Sequence, residues 1–195
     1  VMGRMNKLKQ NLFLIPFTAI ALSACQPHKK LSNTAEKQVI LKDSKTSSAL
    51  SNSQLKTKYG ALLTIDESRI ENVALYALID EWYGTAYKYG GCDKNGVDCS
   101  NFVGIVYQQI YATSLKGSSA SIFNQCKVIT KKELKEGDLL FFKIEGNSIS
   151  HIGMYLQNNK FVHATTKKGV MINDLDEAYY AKYFYRAGRL EKINR

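Results

Sequence analysis

The stretch "GVDCSNFVGIVY", residues 96–107, places a cysteine at the point where an apolar repeat begins. Phe102 and Val106 follow Cys99 at helical spacing, which predicts a helix with one buried face. Asp98 lies where the residue that caps the first turn belongs. A thiol in the first turn meets unpaired backbone N–H groups and the positive end of the helix dipole, which favour the reactive thiolate. Cys99 is therefore either a nucleophile or a buried structural cysteine, and this stretch alone leaves both open.

The segments on either side of this helix predict the fold class. Upstream, apolar residues recur at three- and four-residue steps over 67–83, which predicts an amphipathic helix. Downstream, short runs rich in apolar and aromatic residues predict strands, followed by one short helix and a terminal strand. The predicted strands are 137–143, 151–156, 160–165, 169–173 and 184–190, and the short helix is about 176–181. Helices followed by an antiparallel sheet indicate an α+β domain.

Two histidines lie on neighbouring predicted strands, His151 and His163. Side chains alternate between the faces of a strand, so the length of the connecting turn decides whether both histidines share a face. A two-residue turn at Asn158–Asn159 would separate them. A three-residue turn, which pairs Leu156 with Lys160, brings them together on a diagonal of roughly 7–8 Å. We expect the three-residue turn.

Cys99, His151 and His163 together fit a nucleophile, a base and a group that orients the base. Zinc is the competing use of such residues, but the closely spaced ligand pairs typical of zinc sites are missing, so no metal is expected. Cys92 and Cys126 could form a disulfide in an oxidising compartment. Free, buried thiols are the expected state of both.

The N-terminus predicts export. Residues 1–24 contain three basic residues, no acidic residue and an apolar run too short to span a membrane, which is the pattern of a signal peptide. The sequence Leu22-Ser23-Ala24-Cys25 resembles the bacterial lipobox, which implies cleavage before Cys25 and a lipid on its sulfur. The following residue is Gln26 and not Asp, which resembles lipoproteins that are sorted to the outer membrane. We expect a lipidated N-terminus and flexible tether over 25–63 and one domain over 64–195.

The net charge favours acidic partners without naming one. The formal charge of the chain is +10, and it becomes +7 once the three basic residues of the signal peptide are removed. Such a charge can favour anionic lipid or a polymer with free carboxylates, and it is equally compatible with a solvated basic surface. Because an exported protein has little access to nucleic acid, that partner is not expected.

The sequence resembles the NlpC-type cysteine peptidases, which cut peptides of the bacterial cell wall. The resemblance rests on five blocks: "TAYKYGG" (85–91), "GVDCSNFV" (96–103), "GDLLFF" (137–142), "SHIGMYL" (150–156) and "NNKFVHATTKKGV" (158–170). It covers about residues 66–190. It implies a papain-like fold in which N-terminal helices pack on a central antiparallel sheet of about five to six strands.

The resemblance also implies roles for six residues. Three are catalytic, and three lie near the substrate or the oxyanion: Cys99 as nucleophile, His151 as general base, His163 as the polar third member, and Tyr87, Asp98 and Ser100 beside them. The last three have simpler alternatives, which are a packed aromatic, a helix cap and a solvated first-turn residue.

This sequence departs from the family pattern in two places. Asn101 stands where the family usually has glycine, and a bulkier residue there could narrow the substrate groove. The segment "LKGSSASIF" (115–123) replaces a Pro-Arg-Ser/Thr segment. Both departures concern the choice of substrate more than the chemistry.

The sequence thus predicts a monomeric murein endopeptidase that needs no cofactor. It would act on stem peptides or their cross-links in the periplasm, held to the outer membrane by lipid on Cys25. The sequence does not determine which bond is cut. Two alternatives stay open: a papain-like acyl transferase and a murein-binding lipoprotein without turnover.

Overall fold

A computed structural model describes residues 50–191. The predicted signal peptide and lipobox lie outside these residues. The described residues form five α-helices and two 3₁₀ turns: α1 (Asn52–Leu63), α2 (Val73–Trp82), α3 (Cys99–Ile110), α4 (Ser119–Phe123) and α5 (Ala178–Tyr183), with 3₁₀ turns at Glu67–Arg69 and Lys131–Glu133. Within the described residues, no helix is long and apolar enough to cross a membrane.

Eight strands within residues 50–191 form one small and one large sheet. The strands are β1 (Cys92–Asp93), β2 (Gly96–Val97), β3 (Lys127–Ile129), β4 (Leu139–Phe142), β5 (His151–Tyr155), β6 (Lys160–Thr165), β7 (Gly169–Asp174) and β8 (Phe184–Arg189). β1 and β2 form a hairpin, and the other six form an antiparallel sheet in the order β3-β8-β4-β5-β6-β7. The α+β class and the strand number are confirmed. The sequence analysis did not find β1, β2, β3 and α4, which are each two to five residues long.

The packed domain begins earlier than expected, because α1 lies within the predicted tether. Ser51 caps α1 through a reciprocal pair: its hydroxyl accepts from the Gln54 N–H at 3.3 Å, and the Gln54 side chain accepts from the Ser51 N–H at 2.8 Å. Leu55, Tyr59 and Leu63 are buried in the main core. The expected boundary at residue 63 is therefore wrong for residues 52–63. The polar composition of this segment gave no indication that one face of the helix is buried.

The single helix predicted over 67–83 is interrupted. A 3₁₀ turn occupies Glu67–Arg69, and α2 begins only at Val73. Asn72 ends the interruption because its side chain accepts a hydrogen bond from the Leu75 N–H at 3.2 Å and so caps α2. Apolar spacing continued through the break, and periodicity alone therefore missed it.

The large sheet separates two apolar clusters. On one face, alternate residues of the central strands, among them Phe141, Ile152 and Val162, pack with α1, α2 and α3. The other face carries a smaller cluster, in which Phe142 and Phe161 pack near α5. The site described below lies where β5 begins, next to the N-terminal end of α3.

The β5–β6 connection confirms the predicted register. Tyr155 pairs with Phe161, and the Leu156 N–H donates to the Lys160 carbonyl at 2.9 Å. Asn158 and Asn159 both have positive φ, as in a two-residue turn, but one extra residue is accommodated before them. The Asn158 side chain also donates to the Leu63 carbonyl at 2.8 Å, so a contact with α1 holds the turn.

Candidate active site

Cys99 is the first residue of α3, as predicted. The Asp98 carboxylate accepts from the Asn101 N–H at 2.7 Å, which is the expected N-cap bond. Cys99 is only 7% exposed. The peptide N–H of Ile152, the residue after His151, faces the sulfur. The start of the helix and the start of β5 thus meet at this thiol.

The electrostatics of the Cys99 thiol differ from the expectation. Burial raises the pKa of Cys99 to about 11, although the N–H groups of Ile152, Ser100 and Cys99 itself act to lower it. The nearby Asp98 charge raises the pKa further. Desolvation therefore outweighs the helix terminus, and the thiol is protonated at neutral pH.

The two histidines lie in direct contact. His151 Nε2 and His163 Nδ1 are 2.7 Å apart, so the predicted same-face arrangement is confirmed. Burial lowers the pKa of His151 to about 3, with a further contribution from His163. Burial also lowers the pKa of His163 to about 4. Both imidazoles are neutral at pH 7, which is the form that can accept a proton.

Asp98 is engaged entirely with neighbouring groups of the chain. Its carboxylate accepts from Gly90 N–H at 2.9 Å, from Ser100 hydroxyl at 2.9 Å, and from the backbone and side-chain amides of Asn101 at 2.7 and 3.2 Å. The residue caps α3 and holds the glycine loop against it. The geometry thus favours the capping alternative for Asp98, and it engages the Ser100 hydroxyl in the same network.

Asn101 faces the glycine loop. Its side-chain amide donates to the Gly91 carbonyl at 3.0 Å and to Asp98 at 3.2 Å. The concern that this residue narrows the groove is not supported, because both contacts turn the amide toward the loop beside the helix. In this chain the side chain ties the loop to α3, which a glycine could not do.

Tyr87 is fixed between two strands. The neighbouring Ala86 carbonyl accepts from the Val97 N–H at 3.0 Å, and Lys88 N–H donates to the Val97 carbonyl at 3.3 Å. Gly169 allows this segment to approach β7, because a Cβ there would lie 2.1 Å from the Thr85 carbonyl oxygen. Burial raises the pKa of Tyr87 to about 12, with contributions from Cys99 and Asp98, so its hydroxyl keeps its proton.

A cleft of about 410 Å³ adjoins the histidines. Tyr87 lies on its wall, and the β6–β7 turn contributes Lys167 and Lys168. Glu145 lies on the wall as well, so charges of both signs line the cleft. A peptide that carries both carboxylate and ammonium groups fits this lining.

The remaining cysteines behave differently from each other. Cys126 is a free thiol, as expected. Cys92 is not among the free thiols of the described residues. The expectation of free thiols is therefore wrong for Cys92, which lies half-buried in β1. Among the described residues, no three His, Cys, Asp or Glu side chains cluster as metal ligands.

Two residues beside the histidines were missed by the sequence analysis. Asn173 lies 2.9 Å from His163 Nε2, and its amide contacts Glu177. The available signal was strand parity: β6–β7 pairing sets His163 opposite Met171, so Asn173 lies on the same face one diagonal away.

The sequence analysis also did not predict α4 within the divergent 115–123 segment. The Ser119 hydroxyl in this helix donates to the Ile149 carbonyl at 3.2 Å, just before β5.

Comparison with known proteins agrees with this geometry. The model of the NlpC/P60 family matches residues 84–189, more than half of the chain. The chain belongs to the NlpC/P60 family. It is 37% identical over 181 residues to the probable endopeptidase NlpC of Escherichia coli K12, an alignment that covers 91% of this chain and 97% of that protein. It is 36% identical over 110 residues to the Escherichia coli murein DD-endopeptidase MepS/murein LD-carboxypeptidase, covering 56% of this chain and 58% of that protein.

A solved structure shows that the fold is shared. The NlpC/p60 domain of the peptidoglycan hydrolase SagA aligns with a TM-score of 0.52 and 26% identity, over 62% of this chain and 99% of that domain. The share of each relative's length that this chain spans varies. The chain spans 62% of the probable endopeptidase NlpC homolog of Haemophilus influenzae, with 39% identity over 117 residues. The well-matched region is the domain that carries the cysteine and both histidines.

Proposed function

We propose that this protein is a cysteine endopeptidase that hydrolyses amide bonds in murein stem peptides or their cross-links. The observation that carries the proposal is that the thiol and the histidine pair both lie at the start of β5. A thiol at the start of α3 faces the β5 backbone beside His151, and His151 contacts His163 at 2.7 Å. Family membership and relatives named as murein and peptidoglycan enzymes support the substrate class.

In the proposed reaction, Cys99 Sγ attacks the amide carbonyl carbon. His151 takes the thiol proton and returns it to the leaving amine, and His163 orients His151. Backbone N–H groups at the start of α3 stabilise the oxyanion. Water then attacks the thioester and releases a free carboxylate, which regenerates the thiol.

The pKa values favour a neutral resting pair. With a thiol pKa of about 11 and a His151 pKa of about 3, transfer of the proton before the substrate binds is unfavourable. The proton therefore moves from the thiol to His151 while the sulfur attacks, because the developing oxyanion and the leaving amine then change the local charge. Tyr87, whose hydroxyl keeps its proton, is the proposed side-chain donor near the oxyanion or substrate. Asp98 and Ser100 support the helix start through their mutual hydrogen bond.

The N-terminal region supports a location at the envelope. We propose that residues 1–24 are removed and that lipid on Cys25 anchors a periplasmic protein to the outer membrane, with the described domain beyond a short tether. Metabolic labelling with radioactive palmitate tests this: the parent should incorporate label and Cys25→Ser should not. Membrane fractionation of the labelled parent should recover it with the outer membrane.

Mass spectrometry of purified murein fragments tests the activity. The parent should release new fragments whose masses identify the bond cut, whereas Cys99→Ala and His151→Ala should release none. Cys126→Ala is the matched control and should behave as the parent, because its thiol lies away from the histidines. A new amide or ester in place of a free carboxylate would identify a transferase. Retention on murein by a folded parent without any product would leave a binding protein.

A further inference from the structure

The hydrogen bonds that begin at His151 continue past His163 through two residues with no assigned role. His163 Nε2 lies 2.9 Å from Asn173 Oδ1 on β7. Asn173 Nδ2 lies 2.9 and 3.0 Å from the two carboxylate oxygens of Glu177, which precedes α5. Four side chains thus form one continuous series from the active site toward the surface.

The chemistry of the outer pair fixes the direction of this series. A carboxylate can only accept hydrogen bonds, so Asn173 must turn its NH₂ toward Glu177 and its carbonyl toward His163. That carbonyl also only accepts, so the proton of neutral His163 lies on Nε2. His163 Nδ1 is then a lone pair, and it accepts from His151 Nε2–H. The free lone pair of His151 consequently lies on Nδ1.

We propose that Asn173 and Glu177 are positioning residues that hold both imidazoles in this one tautomer. The proposal rests on the proposed function, in which His151 is the base. In the opposite tautomer His151 would present an N–H and could not take the thiol proton. A neutral amide cannot itself become the proton acceptor, so the transferred proton stays on His151 Nδ1 until the leaving amine takes it.

The surroundings hold each member of the series in place. The Asp174 N–H donates to Glu177 at 2.9 Å and anchors the carboxylate. The Tyr180 hydroxyl donates to Asn173 Oδ1 at 3.3 Å, which agrees with an accepting carbonyl at that position. The His163 ring packs against Phe161 and Tyr180, with ring centroids 4.5 and 5.1 Å away. These two contacts restrict rotation of the ring.

Nitrogen-15 NMR of histidine-labelled protein reads the tautomers directly. In the parent, both histidines should carry the proton on Nε2. Asn173→Ala removes the acceptor, and the two nitrogens of His163 should move toward averaged shifts. The kcat of murein cleavage should fall roughly 10- to 100-fold with KM nearly unchanged, which is less than the roughly 10⁴-fold loss that a fully wrong tautomer causes in a serine protease.

A double variant separates positioning from simple packing. Asn173→Asp combined with Glu177→Gln reverses the outer hydrogen bond: the Asp carboxylate accepts from both His163 and the Gln amide. This pair should restore the parental tautomer and bring kcat back to within about tenfold of the parent. Asn159→Gly is the matched control. It removes another asparagine bond to a carboxylate, 3.3 Å from Asp174, and should lower stability without changing the tautomers.

The inference is overturned if Asn173→Ala keeps parental tautomers and kcat, or if the reversed pair is as impaired as Asn173→Ala. These results differ from failure of the proposed function. If the parent cuts no murein, the proposed function fails, while the nitrogen shifts still report whether Asn173 and Glu177 select the tautomer.

Discussion

Cys99 and Cys126 are both free thiols, but the groups around their sulfurs differ. Burial raises the pKa of both, to about 11 and about 12. The sulfur of Cys99 is surrounded by donors, including the N–H of Ile152, whereas Cys126 itself donates to the Ile122 carbonyl at 3.3 Å and feels the Asp138 charge. Burial therefore does not distinguish the two thiols. They differ in the neighbouring groups that would stabilise a developing thiolate.

The largest difference should appear in catalysis. Cys99→Ala should reduce murein cleavage by at least about 10⁴-fold because it removes the attacking atom. Cys126→Ala should leave kcat/KM within about threefold of the parent. Fragment release followed by mass spectrometry measures both variants under the same conditions. If Cys99→Ala still cleaved murein, Cys99 would not be the attacking thiol, and the comparison of the two thiols would fail.

A second difference is that only the Cys99 region includes buried histidines, and these should make stability depend on pH. The folded pKa values of His151 and His163 lie below the usual 6.5, so between about pH 4 and 6.5 the unfolded chain binds more protons. The free energy of unfolding should therefore fall as the pH falls through this window, by up to about 1.4 kcal/mol per pH unit for each histidine.

Urea unfolding between pH 4.5 and 7 measures this slope above the range in which most carboxylates titrate. His163→Gln should remove about half of it, whereas Cys126→Ala should leave it unchanged. An identical slope in His163→Gln would mean that His163 is not held neutral by burial.

Alkylation tests the comparison at the sulfurs themselves. One pKa unit corresponds to a tenfold difference in thiolate, so native Cys99 should react with iodoacetamide about tenfold faster than Cys126 at pH 8. The result is informative because Cys126 is the more exposed of the two. Peptide mapping by mass spectrometry measures each rate. In urea the two rates should converge, and faster native labelling of Cys126 would show that access outweighs the donors.

The smallest effect is expected at Asn101, which secures the donor-rich end of α3. Asn101→Ala removes the hydrogen bonds to Gly91 and Asp98 and should lower the free energy of unfolding by about 1–2 kcal/mol. Asn101→Gly should cost about 1 kcal/mol more because glycine weakens a helix. The kcat/KM of both should stay within about threefold. A large change in KM without loss of stability would place Asn101 in the substrate groove instead.

The sequence by itself determined those features that follow from local spacing and chemistry. Apolar steps after Cys99 predicted α3, and Asp98 was recognisable as its cap because short side-chain acceptors satisfy first-turn N–H groups. Strand parity predicted His151 and His163 on one face for a three-residue turn, and the observed register excluded the two-residue alternative. Where the pattern was short or polar, as in β3 or α1, the same logic found nothing.

Only the tertiary structure decided what depends on burial and on distant partners. The thiol pKa is raised because neighbouring elements exclude water from the start of α3, a cost that helix position alone does not reveal. Asn101 turns to the glycine loop because Gly91 lies beside it in space. Asn173 and Glu177 reach His163 only because β7 pairs with β6 and the turn into α5 returns the carboxylate to the strand. Sequence spacing supplies the reacting groups, and packing sets their protonation and their neighbours.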